Sequence, residues 1–321
     1  MFDVAISQTT TPRWDLDREL ECVAAHGFRS LAMWRPKLSD AGPAVAAAAL
    51  AAAGVRASSL QAAGGFTGGD GRTFHESVAD AVEAIEEAAM LGGAASAPPP
   101  VLVLQSGCRG GHTRAHATRL LLDALSSLAR VARREGITLA VEPLRPAAAP
   151  NASFLGGLED ALDVVDTIDD PAVGIALDLW HCGDDPALAM RLPRLAAAAA
   201  LVQVADRDGV PTPCGDRLPA GLGTLPLERL AADLVRHGFR GTFEFDPVGE
   251  AVEVAGYDRV LHDTRRLADE WMTRLAAVGS VLRADPPHDG CVPTAWPAHS
   301  RLAAGLGSRR SQASSQAVSR G

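Results

Sequence analysis

The sequence predicts a closed α/β barrel of eight parallel strands, each followed by a helix, a (β/α)8 barrel. The first observation behind this is that eight short apolar, β-branched runs alternate with longer segments of helical periodicity between residues 2 and 280. Alternation of that kind builds either a closed barrel or a doubly wound open sheet. The second observation separates the two. A doubly wound nucleotide fold needs a glycine-rich phosphate loop after its first strand, whereas here that strand runs into SQTTTPRW, which has no glycine.

The first run, FDVAIS (2–7), is followed by a helical segment that stops at HGF (26–28). SLAMW (30–34) and VRASSLQ (55–61) are the second and third strands, and SVADAVEAIEEAAML (77–91) is the helix leading to VLVLQS (101–106). ATRLLLDALSSLARVARREG (117–136) ends in glycine just ahead of TLAVEPL (138–144). VGIALDL (173–179) and LVQVAD (201–206) follow, and HGF (237–239) precedes TFEFD (242–246) and a last helix over 257–280. Glycine marks these helix ends because it adopts the left-handed conformation that closes a helix. His26 and His237 sit just before two such glycines, where an imidazole suits the helix dipole, and no catalytic role is expected of them.

Residues 1–282 are expected to form this one domain. Residues 283–321, rich in Pro, Gly, Ser and Arg and without a sustained period, read as a low-complexity, disordered tail in which Trp296 is untethered. The net charge of -9 becomes -12 once the tail's +3 is set aside. That balance excludes a nucleic-acid partner, which requires a basic surface. The N-terminus lacks a basic region followed by a long apolar run, and no stretch is apolar enough to span a bilayer. Five cysteines, Cys22, Cys108, Cys182, Cys214 and Cys291, show no CxxC spacing, which points to reduced thiols and a cytoplasmic address.

In a barrel of this kind, side chains at the C-terminal strand ends face the active-site mouth. The fifth strand ends in Glu142, and the sixth in Asp178 with His181 just beyond. The seventh offers Gln203 and then Asp206, and the eighth Glu244 and Asp246. Any one of these suits a helix cap or an ion pair; four successive strands delivering oxygen donors to one rim suit a site. Carboxylates crowded together raise each other's pKa unless a cation is present. A divalent ion is therefore expected, Mn²⁺, Mg²⁺ or Co²⁺ rather than Zn²⁺, because the donors are oxygens. Cys182 reads as a small buried residue. Lys37, the only lysine, is the sole Schiff-base candidate and is expected in a solvent-facing loop. His112 and His116 are four apart, as a pair on one helix face would be, but exposed histidines at a helix start are the commoner case.

WRP (34–36), GGF (64–66), LAVEPLRP (139–146), ALDLWH (176–181), VQVADRDG (202–209), DRLPAGLGTLPL (216–227) and HGFRGTFEFDPVGE (237–250) occur in this order. With these motifs the chain, from about residue 3 to 280, resembles the sugar phosphate isomerase/epimerase branch of the xylose-isomerase-like TIM barrels. The resemblance implies metal ligands at Glu142, Asp178, Gln203 and Asp246, with Glu142 and Asp246 as the acid/base pair. It also implies substrate contacts from His181 and Arg217. Trp34 and Phe66, after the second and third strands, suit either a flat wall for a sugar or packing beneath the loops.

The chain departs from the family pattern at three places. Gln203 stands where many members carry His, Asp246 where they typically carry Glu, and the segment RPAAAPNASF (145–154) has few of the polar residues relatives place there. The implied activity is isomerisation or epimerisation of a small sugar, sugar phosphate or hydroxy-keto acid through a metal-stabilised cis-enediolate. A lyase or dehydratase acting on a dehydroshikimate- or inosose-like compound would use the same ring, as would a sugar-binding barrel without turnover. Endonucleases acting at abasic DNA sites share the fold, but the extra histidines and basic groove they need are missing. Relatives often form dimers or tetramers, so the expected partners are a small carbohydrate and a second copy of the chain.

Overall fold

The computed structural model describes residues 2–92, 98–213 and 215–284. Eight parallel strands pair in chain order, β1 (Asp3–Ser7), β2 (Ser30–Trp34), β3 (Arg56–Gly64), β4 (Val101–Gln105), β5 (Thr138–Val141), β6 (Val173–Asp178), β7 (Ala199–Val204) and β8 (Thr242–Phe245). β8 returns to pair with β1 and closes the barrel, as the alternation predicts. Around it lie α1 (Leu16–Ala25), α2 (Arg35–Ala41), α3 (Pro43–Ala53), α4 (Phe74–Gly92), α5 (Arg114–Glu135) and α6 (Leu158–Ile168). Then come α7 (Leu179–Cys182), α8 (Leu188–Ala198), α9 (Leu227–Arg236), α10 (Glu250–Ala255) and α11 (Tyr257–Ala284). α11 runs past the expected domain end at 282. The remainder of the expected tail, with Cys291 and Trp296, lies outside the described residues, as does Cys214. No described helix is long and apolar enough to cross a membrane.

Helix α5 shows how sequence becomes packing. Thr113 caps its start by accepting from the His116 N–H, and Gly136 closes it at φ 72, donating to Ala132 and Arg133 carbonyls. Leu121, Leu125, Leu128 and Ala132 recur at helical spacing and are all buried. Each such leucine contributes roughly 1.5–3 kcal/mol by leaving water.

Side chains on a strand alternate faces, and this alternation sets the interior. Leu102, Leu104, Leu139, Val141, Ile175, Leu177, Val202 and Val204 belong to the large core between barrel and helices. Their neighbours Val103, Ala140, Ala176 and Leu201 form a separate small cluster enclosed by the strands. Two residues further along each strand, on the same inward face, stand Gln105, Glu142, Asp178 and Gln203. The polar ring is thus one layer above an apolar floor.

Lys37 corrects an expectation. Its side chain, on α2, is 11% exposed, and Nζ donates to the Thr11 carbonyl at 2.7 Å and to Glu19 Oε1 at 2.9 Å. Glu19 is fully buried and also accepts from Gln8 Nε2 at 2.6 Å and from the Thr11 hydroxyl. Burial raises the Glu19 pKa despite the opposing Lys37 charge and these hydrogen bonds. The amine is committed to bracing β1 and its following turn against α1 and α2, leaving it no Schiff-base role.

Candidate active site

The centre of the barrel mouth is a guanidinium held between two carboxylates. Arg217 Nη1 donates to Asp178 Oδ2 at 2.9 Å, and Nη2 donates to Asp246 Oδ2 at 2.5 Å. The loop after β7 carries Arg217 back over the rim, where its backbone exchanges hydrogen bonds with Val248 at 2.9 Å. Its guanidinium carbon lies 5.2 Å from the centre of the Trp180 ring. Asp178 is anchored from the other side, Oδ1 accepting from the Trp180 N–H at 2.8 Å. Glu142 Oε2 accepts from Gln105 Nε2 at 2.7 Å.

These environments push the carboxyls apart in acidity. Burial, reinforced by the charge of Asp178, raises Glu142 to about 8. Burial also raises Asp246 to about 6, with Arg217 opposing and Asp178 adding. For Asp178 burial is outweighed by Arg217, by His181 and by its hydrogen bonds, so its pKa falls below the usual carboxylate value. Glu244, in register with Gln203, is raised to about 7 by burial, and its two oxygens accept from Ser58 at 2.6 Å and Ser59 at 3.0 Å. With both oxygens so engaged, Glu244 ties β8 to β3 across the barrel.

The expected divalent ion can be weighed against this arrangement. Gln203 Oε1 and Asp246 Oδ1 are buried without a hydrogen-bond partner, and oxygen donors of this kind suit a hard ion. Arg217, however, stands where a shared cation would bridge Asp178 and Asp246. Among the described residues no three His, Cys, Asp or Glu side chains are grouped to hold a metal. With Arg217 in place the ring does not fit the ion: the guanidinium is the cation that relieves the crowding.

His181 is buried on α7, its Nδ1 accepting from the Arg145 N–H at 3.1 Å and its Nε2 3.8 Å from Asp178 Oδ2. Burial, helped by three arginines, outweighs Asp178 and lowers its pKa. The neutral ring therefore carries its proton on Nε2, on the side of the carboxylate. Of the two readings of Phe66, a sugar wall or packing beneath the loops, burial selects packing: it is 0% exposed, so its expected substrate contact is not available in this structure. Trp34 is half-buried at the end of β2. Asp206 holds a loop, accepting from the N–H groups of Arg207, Gly221 and Leu225. His112 bonds the Thr67 carbonyl at 3.1 Å and His116 pairs with Arg119 at 2.6 Å, which occupies both.

Gln105 was not among the expected site residues. The signal was present in VLVLQS, where Val101, Val103 and Gln105 alternate onto the inward face. Beside it opens a cleft of about 560 Å³, lined by Gln105, Gly64, Gly65, Arg35, Arg72 and Asn151 among others. Its wall depends on bare backbone. A Cβ on Gly64, at φ +137, would lie 1.8 Å from the Gln105 carbonyl oxygen. Gly64→Ala is therefore expected to cost about 3 kcal/mol or more, read from urea unfolding. Wild-type stability in that variant would show that β3 and β4 do not meet so closely.

The model of the xylose isomerase-like TIM barrel family matches residues 20–269. No curated protein matches the chain. Protein SMc04130 from Sinorhizobium meliloti 1021 is similar in structure, with TM-score 0.67 and 26% identity over 88% of this chain and 97% of that one. The IOLI protein with a binding zinc atom aligns at TM-score 0.73 and 16% identity, over 85% of this chain and 99% of its own. D-psicose 3-epimerase from Clostridium cellulolyticum H10, solved with D-tagatose, aligns at 0.68 and 13%, again over 85% and 99%. At these last two identities the likeness is one of fold.

Proposed function

The chain belongs to the xylose isomerase-like TIM barrel family, and from that premise we propose that it is an isomerase or epimerase of a small hydroxy-carbonyl compound of the sugar class. One observation carries the reading. Two buried carboxyls at the mouth, Glu142 and Asp246, are displaced in acidity to either side of neutral, to about 8 and about 6. A pair whose environments separate their pKa values supplies an acid and a base at one pH.

Asp246, ionised near neutral pH and held by Arg217, removes a proton from a carbon next to the carbonyl. Glu142, still protonated, returns one to the neighbouring carbon or to the same carbon. Once Asp246 has taken the proton it is neutral, so the Arg217 charge it shared is available to the enediolate, which the Nε2–H of neutral His181 also faces. Proton transfer by positioned groups of this kind contributes about 10²–10⁴-fold. A divalent ion on Glu142, Asp178, Gln203 and Asp246 would require Arg217 to leave Asp178 and Asp246, and would supply the same charge stabilisation. The free thiols of Cys22, Cys108 and Cys182 support a cytoplasmic setting for this chemistry.

Incubation with ketoses and with hydroxypyruvate in deuterated water tests the proposal. The expected result is deuterium at the carbon beside the carbonyl, with a rate that rises as Asp246 ionises near pH 6 and falls as Glu142 loses its proton near pH 8. Release of water or a cleaved product without exchange would favour a lyase, and no change in any compound would end the isomerase reading.

A further inference from the structure

The cleft beside the ring is polar, yet its cations are already spent. Arg35 and Arg72 are the guanidinium groups among its described lining residues. Arg35 Nη1 donates to Asp80 Oδ1 and its Nε to Glu87 Oε2, both at 2.9 Å. Arg72 Nη1 donates to the other oxygen of Asp80 at 2.9 Å, and its Nη2 to Asp70 Oδ2 at 2.7 Å and to the Gly64 carbonyl at 2.8 Å. Two positive charges thus face three negative ones. At the ring next door, Arg217 is shared by Asp178 and Asp246 in the same way.

What the cleft does present is neutral. Gln105 and Asn151 offer amides, and Gly65, Gly69 and Gly107 leave the wall without side chains. A volume of about 560 Å³ falls inside the range of small-molecule sites. Gln105 both lines this cleft and bonds Glu142, which sets the cleft one side chain away from the candidate acid. A phosphate ester or carboxylate entering here would lose water without meeting an uncommitted cation, and a charge buried unpaired is strongly disfavoured.

We propose that a molecule reacting at Glu142 extends into this cleft and that the cleft selects against anions, so that the substrate is an uncharged polyhydroxylated carbonyl compound, not a sugar phosphate or a keto acid. The inference rests on the isomerase reading only in placing the reacting carbons at Glu142; the exclusion of anions follows from the ion pairs alone.

Calorimetric titration with inorganic phosphate at constant ionic strength tests it without turnover. Wild-type protein is expected to show no binding at millimolar phosphate. Each arginine has two carboxylate partners, so both must be neutralised to free it: Asp70→Asn with Asp80→Asn frees Arg72, and Asp80→Asn with Glu87→Gln frees Arg35. Either double variant is expected to bind phosphate at least about tenfold more tightly than wild type. Binding by the wild type, or refusal by folded variants, would overturn the proposal. A wild-type protein that refuses phosphate, beside variants that take it up, while no ketose exchanges deuterium, would instead sink the isomerase reading and leave the anion exclusion standing.

Discussion

Glu142→Gln is expected to keep the barrel and lose proton transfer by about 10²–10⁴-fold, measured as deuterium incorporation per enzyme. The amide fills the same space and can still meet Gln105 Nε2, which lies 2.7 Å from the native carboxylate, but it carries no exchangeable acid proton of suitable pKa. Stability gives an independent readout. In the native state burial and the neighbouring Asp178 hold the Glu142 proton up to about pH 8, whereas the unfolded chain releases it near 4.5. Between those values the native state binds more protons, so this group's contribution falls as pH rises from about 4.5 to about 8. The variant lacks that slope. Urea unfolding at pH 5, 7 and 9 should show wild type losing ground to Glu142→Gln as pH rises. Parallel curves would mean that Glu142 is not buried beside Asp178 as described.

Arg217→Met is expected to destabilise the protein by about 3–5 kcal/mol, because breaking a buried ion pair on one side leaves its partners charged and unmatched. Here one guanidinium serves two partners, Asp178 and Asp246, whose side chains are 3% and 9% exposed. Methionine fills part of the volume over Trp180 but supplies no charge. Millimolar Mn²⁺ should restore part of the lost stability in the variant and add less to wild type, since only in the variant is the place between the two carboxylates open. Equal stabilisation of both proteins by Mn²⁺, or a variant as stable as wild type, would contradict the account of Arg217 as the ring's resident cation.

The strands and most helices could be read from the sequence because their causes are local. VLVLQS and VGIALD alternate or run apolar over a few residues, and glycines such as Gly136 end helices through their own backbone freedom. The same alternation places Glu142, Asp178 and Gln203 in one inward layer, since two residues along a strand is the same face wherever the strand ends up. Gln105 obeyed that rule too and was legible, though unread.

Other features depended on segments far apart in the chain. Arg217 reaches Asp178 from 39 residues away and Asp246 from 29, through a loop whose path no local pattern dictates. Lys37 meets Glu19 across 18 residues, and Arg35 meets Asp80 across 45. By itself, then, the sequence determined where oxygen donors would stand, because position along a strand follows from a period of two. Only the tertiary structure decided which cations answer them, because a charge is neutralised by what folding brings within a few ångströms, and that distance is written in no single stretch of the chain.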